Sequence, residues 1–206
     1  MSRLHQHRIG RRAGATLSAG AVLFAVAAIA PVSANAAACT QTISGPNSGV
    51  ITVAANQKLC LLDAVQDGAI NVDPNGGLSV IDSTITGAVT LKNNYSEFEF
   101  CGSETVLGAI SATGGQTAAL IGGSSCAANT IDGAVTLDAN NAGVTLTGNY
   151  IAGAVTASAN LVATTISGNM IGGALGCTTN TPAPTNAGVS NTVGGGRSGQ
   201  CGLITF

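Results

Sequence analysis

Six aspartates carry the side chains with the clearest capacity for acid–base or metal chemistry. They are Asp63, Asp67, Asp73, Asp82, Asp132 and Asp138. Clustered carboxylates act as general acids and bases in glycosidases and as ligands for calcium. When the repeats described below are aligned, however, Asp132 falls beside Leu107 and Ala152, and Asp82 falls beside Ser103. The sequence therefore favours a protein with no catalytic residues and no cofactor, and it leaves calcium binding by the acidic residues open.

A second candidate site is the segment from residue 95 to residue 104, where aromatic and acidic side chains crowd together. A possible interaction patch here comprises Tyr95, Glu97, Phe98, Glu99 and Glu104. The favoured alternative is an expanded coil in which Phe98 or Phe100 fills the core beside Cys101. The chain contains no Trp, which weakens the case for sugar binding on an aromatic platform.

A third candidate is a flat face made of small side chains. Its hydroxyl column comprises Thr90, Ser111, Thr136 and Thr156. Beside it runs an alanine column of Ala88, Ala109, Ala134, Ala154 and Ala174. Such a face looks like the ice-binding surfaces of antifreeze solenoids. Threonine is also simply a favourable residue on an exposed strand, and this plainer explanation is preferred.

The first 36 residues have the pattern of a secretory signal peptide. Four arginines between residues 3 and 12 precede an apolar run over 19–30 and a small-residue site that ends at Ala36. That run is shorter than the roughly 20 residues of a spanning helix. We expect cleavage after Ala36, a mature chain without a membrane span, and a location outside the cell or on its surface.

The charges that remain after this leader exclude several function classes. Only Lys58, Lys92 and Arg197 are basic, against nine acidic residues, so the net charge is about −6. Binding to nucleic acid needs several basic side chains on one surface, which are missing here. Both histidines lie in the leader, so neither a histidine general base nor a histidine metal site is expected.

An internal repeat predicts the fold. The string Ile-x-Gly-Ala-Val begins at Ile85, Ile131 and Ile151, and its glycines recur with weaker copies at steps of 19, 21, 25, 20 and 20 residues from Gly68. A second alternating strand precedes each motif. This pattern predicts an all-β fold: a single-stranded, right-handed parallel β-helix of six to seven coils over residues 37–206, each coil built as strand, turn, strand, turn.

Stacked coils place equivalent residues in columns. Inward columns are predicted for Ile85, Val106, Ile131, Ile151 and Ile171 and for Val89, Ile110, Val135, Val155 and Leu175. Asn129, Asn149, Asn169 and Asn191 form an asparagine column at a turn, where the side chain can hydrogen-bond the neighbouring coil. That column is expected to be structural.

The cysteines test this alignment. Cys101 lies five residues before Val106, and Cys126 lies five residues before Ile131, so the two share a column on adjacent coils. A coil spacing of about 4.8 Å is compatible with a disulfide. We predict the bridge Cys101–Cys126, with Cys39–Cys60 and Cys177–Cys201 tying the two ends.

The closing segment carries a family resemblance. The run from Cys177 through Pro182 and Pro184 to Gly199-Gln-Cys201 resembles the carboxy-terminal signature of small secreted β-helix proteins of actinomycetes, a group of unknown function. The resemblance covers most of residues 37–206 and implies export and fold, but no reaction. This chain departs from the group in having only Arg197 as a basic residue near its end.

These observations favour an exported structural or surface-interaction protein without an evident activity. The alternatives are a carbohydrate-binding or carbohydrate-active β-helix and an ice-binding solenoid. Expected partners are a cell-envelope polymer or a second copy stacked on a coil end. The Pro-rich stretch 181–190 is too long for a tight turn, and we expect it to cap that end.

Overall fold

A computed structural model describes residues 38–206, so the predicted signal peptide at 1–36 lies outside the described residues. The described part contains twenty-one β-strands and no helix. Accordingly, residues 38–206 include no helix long and apolar enough to cross a membrane. The predicted all-β parallel solenoid is confirmed, because every strand pairs with its neighbours in parallel.

The strands follow one another at short intervals. The first seven are β1 Gln41–Ser48, β2 Ile51–Val53, β3 Lys58–Asp67, β4 Ile70–Val72, β5 Gly77–Ile81, β6 Thr84–Ile85 and β7 Val89–Leu91. The next seven are β8 Glu97–Phe100, β9 Thr105–Val106, β10 Ile110–Thr113, β11 Ala119–Gly122, β12 Thr130–Ile131, β13 Val135–Asp138 and β14 Val144–Thr147. The last seven are β15 Tyr150–Ile151, β16 Val155–Ser158, β17 Thr164–Ser167, β18 Met170–Ile171, β19 Leu175–Thr178, β20 Thr192–Val193 and β21 Arg197–Gly199.

Each complete coil contributes three strands, one to each of three faces. The first face consists of β5, β8, β11, β14 and β17, and the second consists of β6, β9, β12, β15, β18 and β20. The long strand β3 bends through both of these faces and, with β1 paired to it, joins them into one thirteen-stranded sheet. The third face is a separate eight-stranded sheet of β2, β4, β7, β10, β13, β16, β19 and β21.

Two details of the predicted coil are therefore wrong. The third face has eight strands, so the solenoid has about eight coils rather than six to seven. Each complete coil also has three strands rather than two, because the Ile-x-Gly-Ala-Val motif is a corner and not a continuous strand. Its isoleucine ends a strand of the second face, and its valine begins a strand of the third face.

Glycine is required at this corner because successive coils touch there. A Cβ added at Gly153 would lie 2.5 Å from the carbonyl oxygen of Gly133, and one added at Gly173 would lie 2.6 Å from the amide nitrogen of Ala154. Real Cβ atoms do not approach backbone so closely. The glycines recur in the sequence because successive coils are in backbone contact at this corner and leave no room for a side chain.

The core runs along the axis of the solenoid. Both predicted inward columns are buried and in register, for example Ile131 beside Ile151 and Val135 beside Val155. Strand side chains alternate between inside and outside, so these columns face the core from the second and third faces. Burying β-branched residues from successive coils replaces the aromatic core that the composition does not supply.

Three disulfides join adjacent coils. They are Cys39–Cys60, Cys101–Cys126 and Cys177–Cys201, with Cα–Cα distances of 5.8, 4.8 and 5.3 Å. All three pairs are the predicted ones: the column alignment gave Cys101–Cys126, and the other two were predicted to tie the ends. All six cysteines form disulfides, and residues 38–206 contain no free thiol.

The Pro-rich stretch 181–190 lies in the eighth coil. Thr185 pairs with Thr165 of the first face, and the side-chain amide of Asn186 donates to the carbonyl of Thr205 over 2.6 Å. Residues 201–206 fold back over this coil, and Cys201 and Phe206 are buried against the core. The last coil is thus covered by residues 201–206, and the Pro-rich stretch forms its side on the first face through an isolated bridge at Thr185.

Candidate functional site

The outward side of the third face carries a continuous row of small polar residues. Thr90 pairs with Ser111, Ser111 with Thr136, and Thr136 with Thr156. The same register extends the row in both directions, and we call the whole set the threonine row: Thr52, Asn71, Thr90, Ser111, Thr136, Thr156, Gly176 and Ser198. Adjacent members are separated by the strand spacing of about 4.8 Å.

A second row of small residues borders the threonine row. We call it the alanine row: Ala69, Ala88, Ala109, Ala134, Ala154 and Ala174, each immediately before a strand of the third face. The backbone carbonyls of these alanines accept hydrogen bonds from the preceding coil. The carbonyl of Ala154, for example, accepts from the amide of Val135 over 2.9 Å. The methyl groups are exposed or half-buried, so the two rows together make a surface without large protrusions.

Asp73, Lys92 and Asp138 lie at one margin of the third face, on the side away from the alanine row. Lys92 and Asp73 form an exposed ion pair of 2.6 Å, and the hydroxyl of Ser158 donates to the carboxylate of Asp138 over 2.5 Å. Between this margin and the threonine row lies a shallow depression of about 460 Å³, lined by Pro74, Thr90, Leu91, Lys92, Asn93, Ser111 and Thr113. The threonine and alanine rows themselves contain no charged residue.

The predicted patch at residues 95–104 is not a surface site, and this interpretation is corrected. Tyr95, Phe98 and Phe100 are fully buried, and Glu104 is only 1% exposed. The reason is strand alternation: Phe98 and Phe100 occupy inward positions of β8, where their rings pack edge to face at 5.2 Å. The favoured alternative, an aromatic residue filling the core of an expanded coil, is the one observed.

The two remaining carboxylates of that patch bind within the solenoid. Glu97 pairs with the buried ammonium of Lys58 at 2.5 Å. Glu99 Oε2 lies 3.4 Å from the hydroxyl of Ser79, which donates to it. Each carboxylate is already engaged by an earlier coil, Glu97 by Lys58 and Glu99 by Ser79.

Two columns of buried asparagines lie at the corners of the later coils, and in each column the side chains hydrogen-bond from one coil to the next. We call these columns ladders. The first is the predicted column, in which Asn149 donates to Asn169 and Asn169 donates to Asn191 over 3.0 and 2.9 Å. Each Oδ1 also accepts the backbone amide of the preceding coil, as Asn169 does from Asn149. Both observations support a structural function for these residues.

The second ladder was missed by sequence reasoning, although its spacing could have revealed it. Asn140 donates to Asn160, and Asn160 donates to Asn180, each over 2.8 Å, at steps of 20 residues. Gln200 of the closing Gly-Gln-Cys segment completes the ladder by accepting from Asn180. At the other end, the hydroxyl of Tyr95 donates to Asn140 over 2.8 Å.

Tyr95 can reach Asn140 because the coil between them has a glycine. A Cβ at Gly115 would overlap the phenol ring of Tyr95. Burial raises the pKa of the Tyr95 hydroxyl well above its ordinary value, so the group remains a hydrogen-bond donor at ordinary pH. Tyr95 is therefore the first member of the second ladder.

The acidic residues are not assembled into a metal centre. Within residues 38–206, no group of three or more His, Cys, Asp or Glu side chains is placed to hold a metal ion. Asp73 and Asp138 lie on the third face, whereas Asp82 lies at the corner between the first and second faces. The arrangement supports contact by hydroxyl and methyl groups better than acid–base chemistry.

Comparison of the chain with protein-family models, with curated proteins and with solved structures finds no match.

Proposed function

We propose that this chain is an exported, non-catalytic structural protein that binds an uncharged polymer of a bacterial cell envelope through its third face. The single observation that carries the proposal is the in-register threonine row with the alanine row beside it. We further propose that the chain is one of the small secreted actinomycete β-helix proteins that its closing segment resembles.

Export is supported by the disulfides and by the leader pattern. Disulfides persist mainly in oxidising compartments outside the cytosol. Three of them, one near each end and one in the middle of the solenoid, join coils that would otherwise separate easily. The arginine-rich and apolar pattern over residues 1–36 supports the same conclusion.

The charge distribution favours an uncharged partner. Residues after the leader carry a net charge of about −6, so an anionic polymer would be repelled. Apart from the amide of Asn71 and the bare backbone of Gly176, the side chains of the threonine and alanine rows offer hydroxyl and methyl groups. Neutral polysaccharides present the same kinds of group at regular intervals, which a rigid row can contact repeatedly.

The experiment is co-sedimentation of the secreted protein with insoluble neutral polysaccharides and with purified cell walls. The test variant is T90K/T136K/T156K, which places charge and bulk on the threonine row. The matched control is T84K/T105K/T130K, which changes three outward threonines of the second face in the same register. The proposal predicts that only the test variant loses binding; equal binding by both variants would contradict it.

Ice is a second candidate partner, favoured by the two-dimensional regularity of the threonine and alanine rows. A flat array of hydroxyl and methyl groups can order water in a repeated pattern along eight strands. Inhibition of ice recrystallisation by the protein, and its loss in T90K/T136K/T156K, would support this candidate. Unchanged ice growth in the presence of the protein would exclude it.

A further inference from the structure

Glu104 occupies a position in the first ladder that elsewhere holds asparagine. It lies directly before β9, as Asn129 lies before β12 and Asn149 lies before β15. Its backbone amide donates to Asn129 Oδ1 over 3.2 Å, which continues the ladder toward the earlier coils. Glu104 is therefore the first member of this ladder, on the fourth coil.

One oxygen of Glu104 is satisfied and the other is not. Oε1 accepts the backbone amide of Asp82 over 3.0 Å, as an asparagine Oδ1 accepts the amide of the preceding coil. Oε2 is buried and has no hydrogen-bond partner. In the asparagines the second terminal atom is the donor Nδ2, which reaches a carbonyl of the preceding coil, as Asn169 reaches Leu146 over 2.8 Å.

The chemistry of this position therefore calls for a donor. An ionised carboxylate has no hydrogen to give, and a buried unpaired charge is costly. A protonated carboxyl group has one accepting oxygen and one donating hydroxyl, which is the same division of functions as in asparagine. We propose that Glu104 is a proton-binding group at the corner between the third and fourth coils: the protonated carboxyl stays buried there, whereas its ionisation buries a charge whose Oε2 has no partner and so loosens the corner at Asp82.

Burial, and to a smaller extent the carboxylate of Asp82, favour the protonated form of Glu104. Burial raises the pKa of Glu104 from its ordinary 4.5 to about 7, and the repulsion from Asp82 on the preceding coil adds to this, while backbone amides act in the opposite direction. The following coil contributes the uncharged amide of Asn129, and the nearby Cys101–Cys126 pair is a disulfide that does not titrate.

The pH dependence follows from this raised pKa. A carboxyl group whose folded pKa exceeds its unfolded pKa contributes stability that is complete below the unfolded value and is lost as the pH rises through the folded value. The window for Glu104 is therefore from about 4.5 to about 7. Glu104 lies where the early coils, which lack asparagine ladders, meet the later coils, which have them, so the stability of this junction would depend on pH.

The test combines a titration and hydrogen exchange on the folded protein. A ¹³C titration of the side-chain carboxyls should give Glu104 a midpoint near 7. The protection factor of the Asp82 amide should fall by up to about tenfold per pH unit across the window in the unaltered protein. Glu104→Gln should abolish that fall, because glutamine carries no charge at any pH.

The control variant is Glu99→Gln, which removes a carboxylate from the outward side of β8 and should leave the pH dependence of Asp82 unchanged. A Glu104 carboxyl that titrates near 4.5 would overturn the proposal. The same pH-dependent loss of protection in Glu104→Gln would overturn it as well. The titration of the unaltered protein decides the question even where the variant does not fold.

Discussion

The ammonium group of Lys58 lies 2.5 Å from the carboxylate of Glu97, although the two residues belong to coils that are not adjacent. Gly77 occupies the equivalent position on the coil between them. Because Gly77 has no side chain, the two long side chains meet over its backbone. This arrangement buries an ion pair on the outward side of the first face.

Removing one partner of this pair should destabilise the protein strongly. Lys58→Met leaves the Glu97 carboxylate half-buried and unpaired, and we expect the free energy of unfolding to fall by about 2–4 kcal/mol. The control is Lys92→Met, which breaks the exposed pair with Asp73 and should cost less than about 1 kcal/mol. Urea denaturation measures the free energy of unfolding of both variants. Equal losses of stability would show that the buried pair contributes no more than the exposed pair.

The second ladder should be sensitive to the loss of a single amide. Asn160→Ala removes the acceptor of both the backbone and the side-chain amide of Asn140, and it also removes the donor to Asn180. Each buried group left unsatisfied costs about 1–3 kcal/mol, so we expect a total loss of about 3–5 kcal/mol. Asn141→Ala, at the exposed neighbouring position, should have an effect within about 0.5 kcal/mol in thermal denaturation.

The corner glycines should not tolerate alanine. In Gly153→Ala the new methyl group would lie 2.5 Å from the carbonyl oxygen of Gly133, so the coils would have to separate locally. We expect a loss of about 2–3 kcal/mol, typical of an overpacked interior. The control Gly143→Ala places its methyl group 3.8 Å from the nearest atom, and thermal denaturation should detect little change. A similar melting temperature for the two variants would argue against close contact at the corner.

Several features were accessible from the sequence because a solenoid translates sequence spacing directly into spatial position. Residues one coil apart, such as Ile131 and Ile151, become neighbours through parallel pairing. The same rule placed Cys101 beside Cys126 and Asn149 beside Asn169. It applied equally to Asn140 and Asn160, so the second ladder was missed through incomplete alignment and not through a lack of signal.

Other features could not be read from spacing alone. The motif from Ile131 to Val135 alternates like a strand, and only the backbone contact at Gly133 shows that it turns a corner. The carboxylates of Glu97 and Glu104 lie in one short segment of similar composition, yet one forms an ion pair and the other is buried without a partner for Oε2. That difference depends on which residues the preceding coils supply at the same positions.

The sequence by itself determined the period of the coil, the inward columns and the three disulfide pairs, because each depends only on which residues are one repeat apart. The tertiary structure decided the number of faces, the burial of Tyr95, and the surroundings of Glu104. These depend on contacts between coils, such as the space that Gly115 leaves for the ring of Tyr95. Such contacts are set by the direction of each side chain around the coil, which a linear repeat does not encode.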